Sequence, residues 1–133
     1  MASAFRIANE TQVDQQDWGA RCWVSHPSST GAKLLTVVEA TFTSGQGHSF
    51  HKHPNQEEVI YVITGELEQW IEREKHILGP GDAAFIPADV VHALFNVGQG
   101  DTKLLAIFGP CAGPDGLETV DVAGEAPWQG LRR

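Results

Sequence analysis

Cysteine is scarce in this chain of 133 residues, which carries only Cys22 and Cys111. Two distant thiols cannot build a disulfide framework, and they lie in no spacing typical of a zinc site. We therefore expect both cysteines to be free, buried thiols, as is usual in a reducing compartment.

Basic residues and long apolar runs are scarce as well. Nine Lys and Arg stand against seventeen Asp and Glu, which gives a formal net charge of -8. Because Lys and Arg drive contacts with phosphate backbones, we expect no nucleic-acid partner. No apolar stretch approaches the roughly 18 residues of a membrane span, and residues 1–10 lack the apolar core of a signal peptide. We therefore expect no membrane contact and a cytoplasmic location.

Glycine and proline, by contrast, recur at short intervals and separate brief segments rich in Val, Ile, Phe and Thr. This pattern predicts an all-β sandwich or barrel, and no segment has a long helical period. The predicted strands cover residues 21–25, 33–43, 48–53, 57–64, 66–71, 83–87, 92–97 and 102–108.

The length of the chain suits one domain. We predict an N-terminal arm and edge strand over residues 1–30, the barrel over residues 31–110 and a C-terminal tail over residues 111–133. Three alternatives remain open for the two ends: an extra edge strand, an arm that contacts the second subunit of a dimer, or a loose tail.

Three histidines and a carboxylate form the most informative pattern. His51 and His53 are two apart on a predicted strand, so their imidazoles point to the same face. Glu58 opens the next strand, and His92 opens a later one that a barrel can bring opposite the first pair. Such a set of nitrogen and oxygen donors suits one divalent ion of Fe, Mn, Ni, Co, Cu or Zn, without deciding between them.

These residues, with the glycines around them, resemble the two motifs of the cupin superfamily. The first motif is matched by Gly45, His51, His53, Glu58 and Gly65, and the second by Gly81, Pro87, His92 and Asn96. The resemblance is to small single-domain cupins of the RmlC-like type. It implies a double-stranded β-helix, or jelly-roll barrel, whose 3-His/1-Glu centre holds the metal.

Several polar residues near the motifs need separate interpretation. Asp89 stands where the family has glycine; since Asp tolerates a left-handed backbone, we expect a solvated turn residue there, with a catalytic acid or base as the alternative. Glu57 should face outward, although a shift of one residue would make it the ligand in place of Glu58. His48 is expected either on the surface or beside the ligands, and His76 is expected to be exposed in a hairpin turn.

Three side chains are candidates for a substrate pocket: Gln69, Phe42 and Phe85. Gln69 could instead be a hydrogen-bonded amide at a sheet edge. Tyr61 lies on the face opposite Glu58 and is expected to pack between sheets or between the subunits of a homodimer.

The resemblance implies a choice among dioxygenases, isomerases, decarboxylases, lyases and binding modules. We expect a metal-dependent, dioxygenase-like oxidoreductase that acts on a small organic substrate, similar to small quercetinase-type cupins, with Glu58 as proton acceptor. One alternative is a metal-assisted isomerase or lyase of a sugar or keto acid, assisted by Gln69 or Asp89. Another is a noncatalytic cupin that binds metal and ligand.

Overall fold

Two antiparallel sheets pack face to face in a computed structural model of the chain, which describes residues 3–132. The described strands are β1 (Asp14–Gln16), β2 (Gly19–Ser25), β3 (Thr36–Phe42), β4 (Gly47–Lys52), β5 (Glu57–Thr64), β6 (Leu67–Ile71), β7 (Glu74–Leu78), β8 (Ala83–Ile86), β9 (His92–Asn96), β10 (Thr102–Gly109) and β11 (Val120–Asp121). Over these residues one sheet has the order β1-β2-β3-β10-β5-β8 and the other the order β11-β4-β9-β6-β7. A four-residue helix, α1 (Pro27–Thr30), and a 3-10 turn (Ala8–Glu10) complete the secondary structure. The prediction of an all-β jelly roll is confirmed.

Alternation of apolar and polar side chains explains why these segments form strands with one buried face. On β5, Ile60 and Val62 are fully buried, whereas their neighbours Val59 and Tyr61 face outward. Burying such a side chain contributes about 1.5–3 kcal/mol to folding. The main core contains Val38, Ala40, Phe42, Ile60, Val62, Leu67, Ile86, Leu94, Leu104, Ala106 and Phe108.

Strand β7 corrects the prediction of a hairpin turn around His76. Ile71 pairs with Glu74, so the loop consists of Glu72 and Arg73, and His76 lies within the strand, where it is exposed as expected. The backbone of Glu72 has a φ of 52° without a glycine or proline to mark the turn. Because β7 is a polar edge strand, neither its composition nor its boundaries distinguish it from a loop.

Both ends of the chain pack against the barrel. At the N-terminal end, β1 and β2 extend the six-stranded sheet, and β2 pairs with β3. At the C-terminal end, β11 pairs with β4, and Arg132 lies 3.7 Å from the centre of the Phe95 ring. Extra edge strands, one of the three alternatives for the ends, are therefore present; residues 1, 2 and 133 lie outside the described part.

Two further expectations concern location and thiols. Among residues 3–132, no helix combines the length and apolar character needed to cross a membrane. Cys22 and Cys111 are free, and both are half-buried rather than fully buried. The cytoplasmic location stays a prediction.

The turn that leads into β9 contains Asp89 with a φ of 66°. Its carboxylate lies 3.1 Å from the Lys52 Nζ atom, and its backbone N–H donates a hydrogen bond to the carbonyl of His53. The aspartate thus keeps the left-handed backbone of the motif glycine, as the sequence indicated, and forms an ion pair at the surface instead of lining a cavity.

Replacing Asp89 with valine tests the importance of this backbone conformation. Asp89→Val should lower the free energy of unfolding by about 1–2 kcal/mol, because a β-branched residue tolerates a left-handed φ poorly. Asp89→Gly should unfold at a similar urea concentration to the wild type, since glycine adopts this φ freely. Urea denaturation measures both, with Asp101→Val as a control in a turn of ordinary φ. Equal stability of the Asp89→Val protein and the wild type would contradict the interpretation.

Candidate metal centre

Three buried histidines meet between the sheets. His51 lies on β4, His53 immediately follows that strand, and His92 opens β9, where it pairs directly with His51. One ring nitrogen from each lies within 4.8 Å of the other two. The three histidines among the four predicted ligands are therefore brought together and are positioned to hold a metal ion.

The other ring nitrogen of each histidine contacts a backbone carbonyl. The pairs are His51 Nδ1 with Ser49 at 2.6 Å, His53 Nδ1 with Glu118 at 3.0 Å and His92 Nδ1 with Val90 at 2.9 Å. Since a carbonyl oxygen only accepts hydrogen bonds, each Nδ1 carries a proton, which leaves Nε2 as the ring nitrogen that could bind a metal ion. Such contacts fix the tautomer and the ring orientation of metal-ligating histidines in general.

Glu58 adds a carboxylate to this group. Its Oε1 atom lies 2.9 Å from the Nε2 atom of His92 and 3.3 Å from that of His53. Burial favours the protonated acid, but the two imidazoles outweigh it and lower the pKa of Glu58 to about 2, so the carboxylate is ionised. Glu57 is exposed on the opposite face of the strand, as expected.

The resulting donor set fits a transition-metal cation. Burial, followed by the nearby His92, lowers the pKa of His51 to about 3, so this imidazole is neutral. Within the described residues, Glu58 Oε1 and His92 Nε2 are buried without a well-oriented hydrogen bond. A positive charge between these two atoms, supplied by a metal ion or by a proton on the imidazole, offsets the cost of burying them side by side. Neutral imidazoles and a carboxylate suit the metals predicted from the sequence, and the metal's identity stays open.

A cavity of about 420 Å³ extends from the histidines toward solvent. Its walls are mostly apolar and include Phe42, as predicted for the pocket, together with Leu94 and Leu104. Trp18 stacks on Phe42 with ring centres 4.6 Å apart. The cavity therefore offers a flat aromatic wall near the metal centre.

His48 also lines this cavity, beside the predicted ligands as one of its two expected positions had it, although its inward orientation was not predicted. Strict alternation along β4 would place His48 and His51 on opposite faces, but the register shifts between them where the strand pairs with β9. Both imidazoles consequently face inward, 6.0 Å apart between ring centres, while Phe50 turns outward onto Trp70. Burial lowers the pKa of His48, which favours its neutral form. No feature of the sequence marks this irregularity.

Gln69 and Phe85 do not line the histidine cavity, so their predicted placement is corrected. Both lie beside a second cavity of about 380 Å³ between β7 and β8. The Gln69 side chain donates hydrogen bonds to the carbonyls of Trp70 and Ala93, each at 3.1 Å, so it is a hydrogen-bonded amide, but β6 lies between β9 and β7 and is not at a sheet edge. Phe85 pairs with Val59 and shares its outward orientation.

The C-terminal segment contributes part of the site, and no motif in it indicated this. Leu117, Thr119 and Asp121 line the histidine cavity. The carbonyl of Glu118 accepts the hydrogen bond that orients His53. Closure of the site thus depends on a segment far beyond the second cupin motif.

The cupin-domain family model matches residues 38–108, more than half of the chain. This chain belongs to the cupin family. Among curated proteins, protein SchB from Streptomyces halstedii is 34% identical over 95 residues, covering 71% of this chain and 69% of SchB. Polyketide synthase CurC from Streptomyces cyaneus is 33% identical over 101 residues, covering 76% of this chain and 64% of CurC. The chain thus spans about two thirds of the length of both relatives.

Two other matches extend the comparison. Quercetin 2,3-dioxygenase from Bacillus subtilis is 27% identical over 74 residues, which cover 56% of this chain and 22% of that enzyme. The structure of KdgF from Halomonas sp. superposes with a TM-score of 0.71 at 28% identity, covering 80% of this cupin and 94% of KdgF. The jelly-roll barrel and its family are therefore established, whereas the matches differ in name and length.

Removing one imidazole tests the metal centre. His51→Ala should reduce affinity for Fe, Mn, Co, Ni, Cu or Zn by at least the roughly 10- to 100-fold that losing a hydrogen-bond partner of a ligand costs. Metal content after reconstitution and desalting, measured by mass spectrometry, provides the readout. His76→Ala is the matched control because His76 is exposed, pairs with the Glu74 carboxylate at the surface and lies outside the histidine cluster. Full metal content in the His51→Ala protein would contradict the assignment.

Proposed function

We propose that this cupin is a metal-dependent enzyme with dioxygenase-like activity on a small, planar, oxygen-rich substrate. The proposal depends on one observation: three imidazoles and a carboxylate converge at one end of a cavity whose walls are aromatic and aliphatic. In the proposal, His51, His53, His92 and Glu58 hold the ion. With six-coordinate metals, these four leave two positions for substrate and water or dioxygen.

The bound metal would act as a Lewis acid toward substrate oxygen atoms and, if redox-active, would activate dioxygen. The chain's own residues then orient the substrate and move a proton. A flat substrate packs against Trp18 and Phe42, whose stacked rings form one wall. Leu94 and Leu104 exclude water, which strengthens electrostatic interactions in the cavity. Glu58 accepts the proton that a substrate hydroxyl loses, because its carboxylate is ionised and lies at the site.

The comparisons support this substrate class without defining it. The names of two relatives refer to a polyketide and to quercetin, both of which are oxygen-rich carbon skeletons. Adjacent carbonyl and hydroxyl oxygens on such molecules can chelate a divalent cation. An apolar cavity with a few polar groups is typical of sites for molecules of this kind.

A second candidate is a metal-assisted isomerase or lyase, and His48 is the observation that favours it. This imidazole faces the cavity, is mainly neutral and is near the metal ligands. It could remove a proton from a carbon atom next to a carbonyl bound at the metal, as a general base. Such a reaction would consume no oxygen.

Oxygen uptake separates the two candidates. Protein reconstituted with each redox-active metal is mixed with quercetin or a catechol in an oxygen electrode, and products are analysed by mass spectrometry. We expect oxygen consumption that depends on substrate and disappears in the His51→Ala protein. Product without oxygen uptake would support the isomerase or lyase, and that activity should fall about 10²–10⁴-fold in His48→Phe if His48 is the base. Binding without turnover of any substrate would contradict an enzymatic role.

We also propose that the protein forms a homodimer through the outer face of its six-stranded sheet. Tyr61 and Phe85 are 43% and 53% exposed, and together with Val59 they form an apolar surface across β5 and β8. Apolar patches of this type commonly mark protein contacts. The small organic substrate remains the other proposed partner.

Light scattering coupled to gel filtration tests the proposed dimer. The wild-type chain should elute with twice the mass of one chain, and Tyr61→Glu should elute as a monomer, since it places a charge in the apolar contact. Ile77→Glu is the control because Ile77 is exposed on β7 of the other sheet. A monomeric wild-type protein, or a dimer unaffected by Tyr61→Glu, would exclude this interface.

A further inference from the structure

Arg21 is a cationic side chain on the wall of an otherwise mostly apolar cavity. It lies on β2 opposite Ala40, and both residues line the histidine cavity. Among the described residues around this cavity, Arg21 is the one lysine or arginine. A guanidinium at a partly buried position requires compensation by partners, since transfer of charge from water is costly.

The protein's own side chains satisfy the charge and the N–H donors of the Arg21 guanidinium only in part. One terminal nitrogen of Arg21 lies 3.5 Å from the Asp14 carboxylate, and the guanidinium carbon lies 4.9 Å from the centre of the Trp23 ring. The Nε atom is buried without a hydrogen-bond acceptor in the part of the chain that the structure describes. Arginine has five N–H donors and forms its strongest contacts with carboxylates in a bidentate geometry. A single contact at 3.5 Å leaves much of this capacity unused.

The placement of Arg21 suggests what completes its contacts. It belongs to the six-stranded sheet, whereas His51 and His92 belong to the five-stranded sheet that faces it. Trp18 and His48 line the same cavity as Arg21 and His51, and the rings of Trp18 and His48 are 4.8 Å apart. An aromatic ligand that packs on these rings and spans the cavity would have one end at the candidate metal centre and the other at the guanidinium.

We propose that Arg21 binds a carboxylate of the substrate, so that this cupin selects aromatic acids over neutral aromatic compounds. The inference depends on the proposed function, because it takes the histidine cavity as the substrate site. Arg21 would thus determine substrate specificity, because it binds the end of the substrate that does not react. Asp14 holds the guanidinium in place and competes with the substrate carboxylate for it.

Calorimetric titration of the full-length protein with zinc bound tests the proposal without turnover. The probes are 2-naphthoate and its neutral isostere 2-naphthamide. Wild-type protein should bind the acid about 10- to 100-fold more tightly than the amide, as expected for a hydrogen-bonded charge pair. Arg21→Met should lose this preference, and Arg21→Lys should retain part of it. Lys103→Met is the matched control, since it removes one positive charge on the outer face of the same sheet.

Each outcome decides the proposal. No preference for the acid in the wild type would overturn the proposal, because the cavity would then not recognise a carboxylate. The same preference in Arg21→Met would also overturn it, because zinc alone would then bind the carboxylate. Should Arg21→Met fail to fold by circular dichroism, Asp14→Asn provides the second test. Removing the competing carboxylate should tighten binding of 2-naphthoate several-fold if Arg21 binds it, whereas weaker binding would overturn the proposal. A preference for the acid without oxygen uptake would reject the dioxygenase-like activity and leave the role of Arg21 intact.

Discussion

The close approach of the Glu58 carboxylate and three imidazoles constrains the positions of the strands that carry them. Glu58 Oε1 and His92 Nε2 lie 2.9 Å apart in the core, and one ring nitrogen from each of His51 and His53 lies nearby. Such an arrangement is unfavourable in a medium of low polarity unless a positive charge, on a metal ion or on a protonated imidazole, lies among these atoms. It also requires that β4, β5 and β9 hold their positions in two different sheets. The metal centre and the packing of the barrel are therefore interdependent.

The irregularity in β4 has two consequences for the molecule. By shifting the register, it turns His48 and His51 to the cavity and Phe50 to the outer surface of the same sheet. Phe50 then packs against Trp70 and Trp128, and Trp128 belongs to the C-terminal segment. That segment supplies the carbonyl of Glu118 that orients His53. One local change in strand pairing therefore helps both to shape the cavity and to anchor the segment that orients this histidine.

Period-two alternation and fixed motif spacing made the barrel and the three histidines predictable. The same reasoning failed where strand pairing departs from the regular pattern or where an edge strand is polar. The inward orientation of His48 was not predictable because a bulge leaves no mark in composition, and the start of β7 looked like a turn because Glu74 and Lys75 are charged. Gln69 was correctly placed on an inward face, but parity alone does not tell which of two cavities a side chain reaches. The contribution of the C-terminal segment depends on tertiary contacts that no local pattern encodes.

Charge distribution at the cavity bears on the kind of molecule that can enter. A net charge of -8 disfavours the approach of anions from a distance, so recognition of an acidic substrate must arise locally. Two cationic elements can provide it: a metal ion at the histidines and Arg21 on the facing sheet. Because the intervening walls are aromatic and aliphatic, the field of each is screened less than it would be in water. A molecule with anionic or chelating oxygens at both ends and a flat apolar middle would be complementary to this arrangement, whereas a neutral sugar would leave the guanidinium and the aromatic wall without matching contacts.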